Sequence, residues 1–137
     1  MSRVDRILRL CAGLAAAALA AACGGDSGGG GTGPRPVAGS AVVTLAGATA
    51  TDGGVVLDVG EGVTAVAPGG GAATVGAGPQ TADGHRRVVV LGDLSGALVR
   101  LSVPDVRQLP QVQVREVAGR DGSLRDLTAY SAKVTAQ

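Results

Sequence analysis

The chain offers few side chains that could carry out chemistry. Its cysteines are Cys11 and Cys23, its one histidine is His85, and its two glutamates, Glu61 and Glu116, lie too far apart in sequence to suggest a paired acid and base. His85 could act as a general base, because imidazole titrates near neutral pH. No Ser or Cys lies close to it in sequence, so we interpret His85 as an exposed strand end. The residue types therefore do not predict an enzyme.

Aspartates recur near predicted turns, where carboxylates could bind calcium. No Asp-x-Asp-x-Asp-Gly spacing occurs, and aspartate also favours turns because its side chain bonds the nearby backbone. We therefore prefer local capping over calcium binding, with Asp121 and Asp126 as the best-placed pair if calcium binds. The six aspartates concerned are Asp52, Asp83, Asp93, Asp105, Asp121 and Asp126.

The N-terminal segment has the three parts of an export signal. Three arginines and one aspartate among residues 1–9 give a side-chain charge of 3 − 1 = +2. Residues 10–22 are uncharged and mostly apolar, and these roughly 13 residues are too few for a membrane-spanning helix, which needs about 20. Small residues then precede Cys23, as cleavage of a signal requires.

This pattern resembles the bacterial lipoprotein signal family, and Leu19-Ala20-Ala21-Ala22-Cys23 carries the resemblance. The family likeness implies that the sulfur of Cys23 receives diacylglycerol, that cleavage follows Ala22, and that the new amine is acylated. Several acyl chains hold a protein at a bilayer without a spanning helix. The alternative is an ordinary secretory signal in which the cysteine occurs by chance.

Lipidation of Cys23 would place the mature chain in the cell envelope, outside the cytoplasm. Where the envelope has two membranes, Gly24 after Cys23 favours the outer one. Cleavage would remove Cys11 and lipid would block Cys23, so no thiol would remain for a disulfide or a Cys-x-x-Cys metal site. We expect neither a metal nor a cofactor.

Charge and composition exclude some binding roles. Removal of residues 1–22 leaves 12 − 3 = 9 basic and 11 − 1 = 10 acidic side chains, and this near-neutral balance argues against nucleic acid. Interspersed acids indicate that the arginines form a solvated surface rather than a basic stripe. These arginines are Arg86, Arg87, Arg100, Arg115 and Arg125.

Aromatic residues are almost absent, since the chain has no Trp or Phe and one Tyr. Sugar-binding sites and deep ligand pockets use flat aromatic faces, which this chain cannot supply in number. We interpret Tyr130 as a core residue whose hydroxyl lies at the rim of the core.

The chain divides into three parts. Residues 1–22 form the signal, residues 23–36 a lipidated cysteine with a Gly-rich flexible linker, and residues 37–137 one small domain. The domain is rich in Val, which favours strands, and its runs of alternating apolar residues are bounded by Gly, Pro and Asp. We expect an all-β fold, a small β-sandwich of seven or eight short strands. The predicted strands are 41–45, 54–59, 63–66, 73–75, 85–91, 97–103, 111–115 and 130–135.

Three further features complete this prediction. The segment 68–84, apart from a weak strand at 73–75, is expected to be a mobile loop. Asp52-Gly53, Asp83-Gly84, Gly92-Asp93 and Asp121-Gly122 are expected to form turns. A short helical turn is expected at 123–127.

Residues 87–103 contain a strand, a turn with Gly92 and Gly96, and a second strand. In this order they resemble cohesin-like and other immunoglobulin-like bacterial β-sandwich modules, over about residues 40–135. The resemblance implies a sandwich closed by a late strand and transfers no binding residue.

Together these features predict a lipid-anchored envelope protein whose non-catalytic sandwich is a structural or protein-interaction module, with another envelope protein as a partner. The alternative is a ligand-binding module for polysaccharide or calcium, and the lack of aromatic residues disfavours it.

Overall fold

The computed structural model describes residues 33–71 and 73–137. Residues Arg35–Gln137 pack into one compact unit of eight strands and a short 3₁₀ turn, Leu127–Ala129. In this described part, no helix has the length and apolar character needed to cross a bilayer. The strands are β1 Gly39–Ala46, β2 Asp52–Val59, β3 Ala65–Pro68, β4 Thr74–Gln80, β5 Arg86–Leu91, β6 Ala97–Val103, β7 Val112–Gly119 and β8 Ser131–Ala136.

The strands form two four-stranded antiparallel sheets, which confirms the predicted all-β sandwich. The first sheet has the order β3-β6-β1-β8 and the second the order β4-β5-β2-β7. Each strand in the first half of the chain therefore pairs with its counterpart in the second half: β4 with β5, β3 with β6, β2 with β7, and β1 with β8. The chain is one long antiparallel ribbon folded over on itself, and the β1–β6 and β2–β5 pairs complete the two sheets.

The core lies between the sheets and consists of Val and Leu side chains. Because successive strand residues point to opposite faces, β2 sends Val55, Leu57 and Val59 inward, as predicted, and all three are at most 1% exposed. The first sheet supplies Val43 and Leu101 from β1 and β6, both fully buried. Each such side chain contributes about 1.5–3 kcal/mol on burial, so burial of Val and Leu stabilises the sandwich without Phe or Trp.

β-Bulges change which side chains point inward. In β6, Val99 lies opposite Val43 while Ala97 lies opposite Thr44, so Leu98 is an extra residue in the pairing. Both Leu98 and Val99 are therefore buried, although strict alternation along the predicted strand 97–103 would put them on opposite faces. A bulge adds a residue on one strand only, and alternation alone does not show where it falls.

The segment 68–84 is not mainly a loop, because Thr74–Gln80 forms β4 along the edge of the second sheet. The outward positions Gly76 and Gly78 need no side chain there, while Val75 packs against the core on the inner side. Glycine has low intrinsic strand propensity, and pairing with β5 overrides it.

Three local predictions are also corrected. The third strand is Ala65–Pro68 rather than 63–66, and the helical turn is Leu127–Ala129 rather than 123–127. Asp52-Gly53 is not a turn but the start of β2. The chain turns just before β2, over Thr49–Asp52, where the backbone N of Asp52 donates to the carbonyl of Thr49 at 3.1 Å. Gly47, directly after β1, has a φ of +87° that suits glycine, and its backbone approaches the carbonyl of Ala129 too closely for a side chain.

Val43→Ala, which removes two methyl groups from the middle of β1, should lower the free energy of unfolding by about 2–3 kcal/mol. Urea unfolding followed by circular dichroism measures this loss. Val37→Ala is the matched control, because Val37 is 53% exposed and its change should stay within about 0.5 kcal/mol. Equal losses for the two variants would contradict the assigned core.

Candidate functional site

The predicted lipidation site, Cys23, lies outside the described residues, so its modification stays a prediction. Among the other candidates, the structure brings two groups together. Tyr130 and Arg125 meet at Asp52, and His85 and Arg115 meet at Asp58.

Asp52 is the one buried charged residue in the described part of the chain, at 1% exposure. Its Oδ2 accepts hydrogen bonds from the backbone N of Thr49 at 2.8 Å and from the Thr49 hydroxyl at 3.0 Å. The Tyr130 hydroxyl lies 3.1 Å from Oδ1 and 3.0 Å from Oδ2, and Arg125 Nε donates to Oδ1 at 3.3 Å. A buried carboxylate needs such donors, because an unpaired one is costly.

A bulge at Gly53 directs Asp52 inward. Asp52 pairs with Gly119 and Gly54 with Ala118, which leaves Gly53 as the extra residue. Without this residue the alternation of β2 would point Asp52 outward, since Val55 and its inward neighbours are odd-numbered. Arg120 packs over Gly53, where a Cβ would lie 3.0 Å from its Cγ.

The hydrogen bonds around Asp52 keep its carboxyl group ionised. Burial raises the pKa of the Asp52 carboxyl, but the bonds from Thr49, Tyr130 and Arg125 outweigh burial and hold the pKa below its ordinary value. Burial and the adjacent carboxylate raise the pKa of Tyr130, so its hydroxyl keeps the proton that it donates. Sequence reasoning placed Tyr130 correctly at the rim of the core but missed its partner, since Asp52-Gly53 looked like a turn.

The second group lies on the outer face of the second sheet. His85 precedes β5, and its Nδ1 is 3.2 Å from Oδ1 of Asp58 on the adjacent strand β2. Arg115 on β7 donates Nη2 to Oδ2 of Asp58 at 2.7 Å. The bond from Arg115 lowers the pKa of Asp58 most strongly, against burial, and the bond from His85 adds to this effect.

Two open clefts flank His85. One, of about 520 Å³, lies beside Arg115 and Arg87, and the other, of about 600 Å³, lies beside Glu61 and Asp105. In the part of the chain that the structure describes, the His85 ring has its hydrogen bond to Asp58, and its side chain is 46% exposed. The arrangement is a surface ion-pair cluster that ties β2, β5 and β7 together, and such exposed pairs contribute little to stability.

Asp121 and Asp126 each accept hydrogen bonds from the residue two positions farther on in the chain. Asp121 Oδ1 accepts from the backbone N and hydroxyl of Ser123, at 3.1 and 2.6 Å. Asp126 Oδ1 accepts from the N and hydroxyl of Thr128, both at 2.9 Å, and so caps the 3₁₀ turn. Within residues 33–71 and 73–137, no group of three His, Cys, Asp or Glu side chains could hold a metal ion.

Asp105 ties the start of the domain to the loop after β6. It accepts from Arg107 through the guanidinium and the backbone N, and these bonds lower its pKa to about 2. Arg107 also donates to the carbonyl of Arg35. The carboxylate of Asp105 is therefore occupied by the backbone N and the guanidinium of Arg107 and is not free to bind a ligand.

The five arginines considered for a basic stripe are spread over both sheets. Arg100 lies on β6 in the first sheet, whereas Arg115 lies on β7 in the second and Arg125 in the connection to β8. Arg86 and Arg87 lie on β5 in the second sheet. Arg115 and Arg125 pair with Asp58 and Asp52, so the charge of these two is locally balanced.

One surface of the described chain stands out by its apolar character. On the outer face of β5, Val89 and Leu91 are 36% and 55% exposed. Sequence reasoning took the whole run 85–91 as a central strand and did not single out this outer face. The inward neighbours Val88 and Val90 are fully buried, so the strand has apolar residues on both faces.

Comparison with family models, with curated proteins and with solved structures finds no match to this chain. The assignment of a function therefore depends on the N-terminal sequence pattern and on the surfaces described above.

Asp52→Asn should lower the free energy of unfolding by about 2 kcal/mol or more at pH 7, because it leaves Arg125 and Thr49 with a weaker acceptor. The folded-state pKa lies below that of the unfolded chain, about 3.9. The stabilisation is therefore complete above the unfolded pKa and is lost as the pH falls through the folded pKa. Urea unfolding should give a constant difference from pH 7 to 5 that shrinks below about pH 4.

The matched control is Asp93→Asn. Asp93 is exposed and accepts one backbone bond, from Ser95 at 2.9 Å, so its replacement should cost much less. Equal losses for the two variants, or a difference for Asp52→Asn that persists undiminished at pH 2, would contradict the role assigned to Asp52.

Proposed function

We propose that the mature protein is a non-catalytic β-sandwich, held by lipid on Cys23 at a membrane of the cell envelope, and that it acts there as a structural or protein-interaction module. In a two-membrane envelope its place is the outer membrane. The sequence of residues 1–23 supports the anchor. The exposed Val89 and Leu91 on a rigid sheet face support the interaction role, since proteins bury such surface against partners.

Two features favour this role over catalysis. The carboxylate of Asp52 is enclosed by donors that hold it as an anion, and a sealed ion has no access to substrate. His85 is exposed at the surface, and it is hydrogen-bonded to Asp58, whose carboxylate also binds the guanidinium of Arg115. His85 therefore belongs to a surface ion-pair cluster rather than to an enclosed site.

The same geometry gives less support to a ligand-binding module. Asp121 and Asp126 use their Oδ1 atoms on local donors. Tyr130 packs against the core, and its hydroxyl is bound to Asp52, so it does not offer a free ring face for stacking on a sugar.

Cys23→Ser should move the full-length protein from the detergent phase to the aqueous phase in a Triton X-114 partition, because the acyl chains that hold it have no attachment site. Cys11→Ser is the matched control, since Cys11 lies within the predicted signal, and it should leave partition unchanged. Mass spectrometry should find residue 23 acylated in the parent. A variant that still partitions with detergent, or an unmodified Cys23, would refute the anchor.

The interaction role predicts where a partner contacts the domain. A photo-reactive amino acid in place of Val89 should cross-link to protein in cells on irradiation, and one in place of Thr135, on the outer face of the first sheet, should do so far less. Mass spectrometry identifies the product. Equal labelling at the two positions, or none at either, would count against an interaction through the second sheet.

A further inference from the structure

Five positions lie side by side across the outer face of the second sheet. Thr74 on β4 is opposite Leu91 on β5, Leu91 is opposite Gly54 on β2, Gly54 is opposite Ala118 on β7, and Ala118 is opposite Leu124. Directly opposite residues of antiparallel strands point to the same face. This row therefore places two small residues between two leucines.

We call the surface of Leu91, Gly54, Ala118 and Leu124 the trough. Leu91 and Leu124 are 55% and 68% exposed, the highest values among the large apolar residues of the described chain. Gly54 has no side chain, and a Cβ there would lie 3.0 Å from Leu91 Cδ2, so Leu91 leans over it. A depression of about 480 Å³ opens along Gly54, Leu91 and Ala118.

Among the described residues, the outer face of the first sheet has no comparable surface. Its outward positions on β1 and β8 are polar or small, as at Thr44, Lys133 and Thr135. Val42, which also points outward, is only 7% exposed, since it lies between Arg100 and Thr135 on the adjacent strands. Of the two outer sheet faces, the one with exposed large apolar side chains is therefore that of the second sheet.

The charges around the trough decide what can cover it. Asp93 and Arg120 line the depression beside Leu91, and they bring one charge of each sign. Farther along the same face, Asp58 pairs with Arg115, Arg87 lies opposite Asp58, and Glu116 lies opposite Val56. A surface that carries both signs in equal number attracts neither an anionic bilayer nor a partner of one sign.

A second copy related by a two-fold axis carries the same mixture and can place each charge near its opposite. We propose that the trough is the contact surface of a symmetric pair of copies of this chain, with Leu91 of each copy seated against Ala118 and Leu124 of the other. This inference rests on the proposed interaction role and names the partner. The lipid anchor would favour the pair, because it confines the copies to one surface and raises their effective concentration.

Cross-linking of the full-length protein in its own membranes tests the pair. Because Leu91 of each copy lies over Ala118 of the other, the two-fold axis runs along β2 between them, and the two copies of Val56, two residues from Gly54 on the same face, lie opposite each other. Val56→Cys therefore places a thiol beside the axis, and if Cys23 carries its lipid this is the one thiol of the mature chain. A short bismaleimide should link two copies through it. Thr135→Cys, on the outer face of the first sheet, is the control for random collision and should give little dimer.

Leu91→Lys, added to Val56→Cys, should lower the cross-linked dimer about tenfold or more, because each pair would lose two buried leucines and gain two desolvated ammonium groups. Val37→Lys is the matched control, since Val37 is also apolar and 53% exposed but lies before β1. It should leave the dimer unchanged. Circular dichroism of both variants checks that the sandwich is intact.

Three other outcomes overturn the pair, and a fourth overturns the anchor. Equal dimer from Val56→Cys and Thr135→Cys would mean collision alone, and an unchanged dimer with Leu91→Lys would mean contact elsewhere. Cross-links to a different protein would refute the pair while leaving the interaction role standing. Cross-linking of the parent chain, without an added cysteine, would show a free Cys23 and so refute the anchor separately.

Discussion

The buried carboxylate of Asp52 holds together the two connections that join the sheets, β1–β2 and β7–β8. Asp52 cannot remain ionised at 1% exposure without donors around it, and these donors come from parts of the chain far apart in sequence. Thr49 lies in the β1–β2 connection, while Arg125 and Tyr130 lie in the connection between β7 and β8. Satisfying one carboxylate therefore fixes the path of both connections, each of which crosses from one sheet to the other.

The core around this cluster is built from the inward-facing valine and leucine side chains of the strands. With no phenylalanine or tryptophan to fill volume, the two inner faces approach through many small branched side chains. Bulges adjust the fit: Leu98 is added to the core of the first sheet, and Gly53 turns Asp52 inward on the second. In both cases one inserted residue changes which face a side chain occupies, so bulges govern the core and the buried polar cluster alike.

The same alternation produces the surface that we connect with function. Along β5, Val88 and Val90 point into the core, and Val89 and Leu91 point outward. Because Gly54 and Ala118 stand beside Leu91, that side chain is left uncovered instead of being packed between larger neighbours. Within the part of the chain that the structure describes, Leu91 remains 55% exposed on this face, whereas a sheet in the interior of a larger protein would bury it. The lipid anchor that we propose would complement this sheet face, because confinement at a membrane makes a small contact surface effective.

Much of this protein could be predicted from local pattern. Valine-rich alternation gave the strands at 41–45, 54–59 and 97–103 nearly as they occur, because period 2 and burial of one face are properties of the strand itself. Only tertiary structure decided that 74–80 is a strand, since glycine there is held by pairing with β5, and only the bulge at Gly53 decided that Asp52 is buried. The trough likewise depends on register between β5, β2 and β7. Register is a relation between segments distant in sequence, and no local pattern of residues contains it.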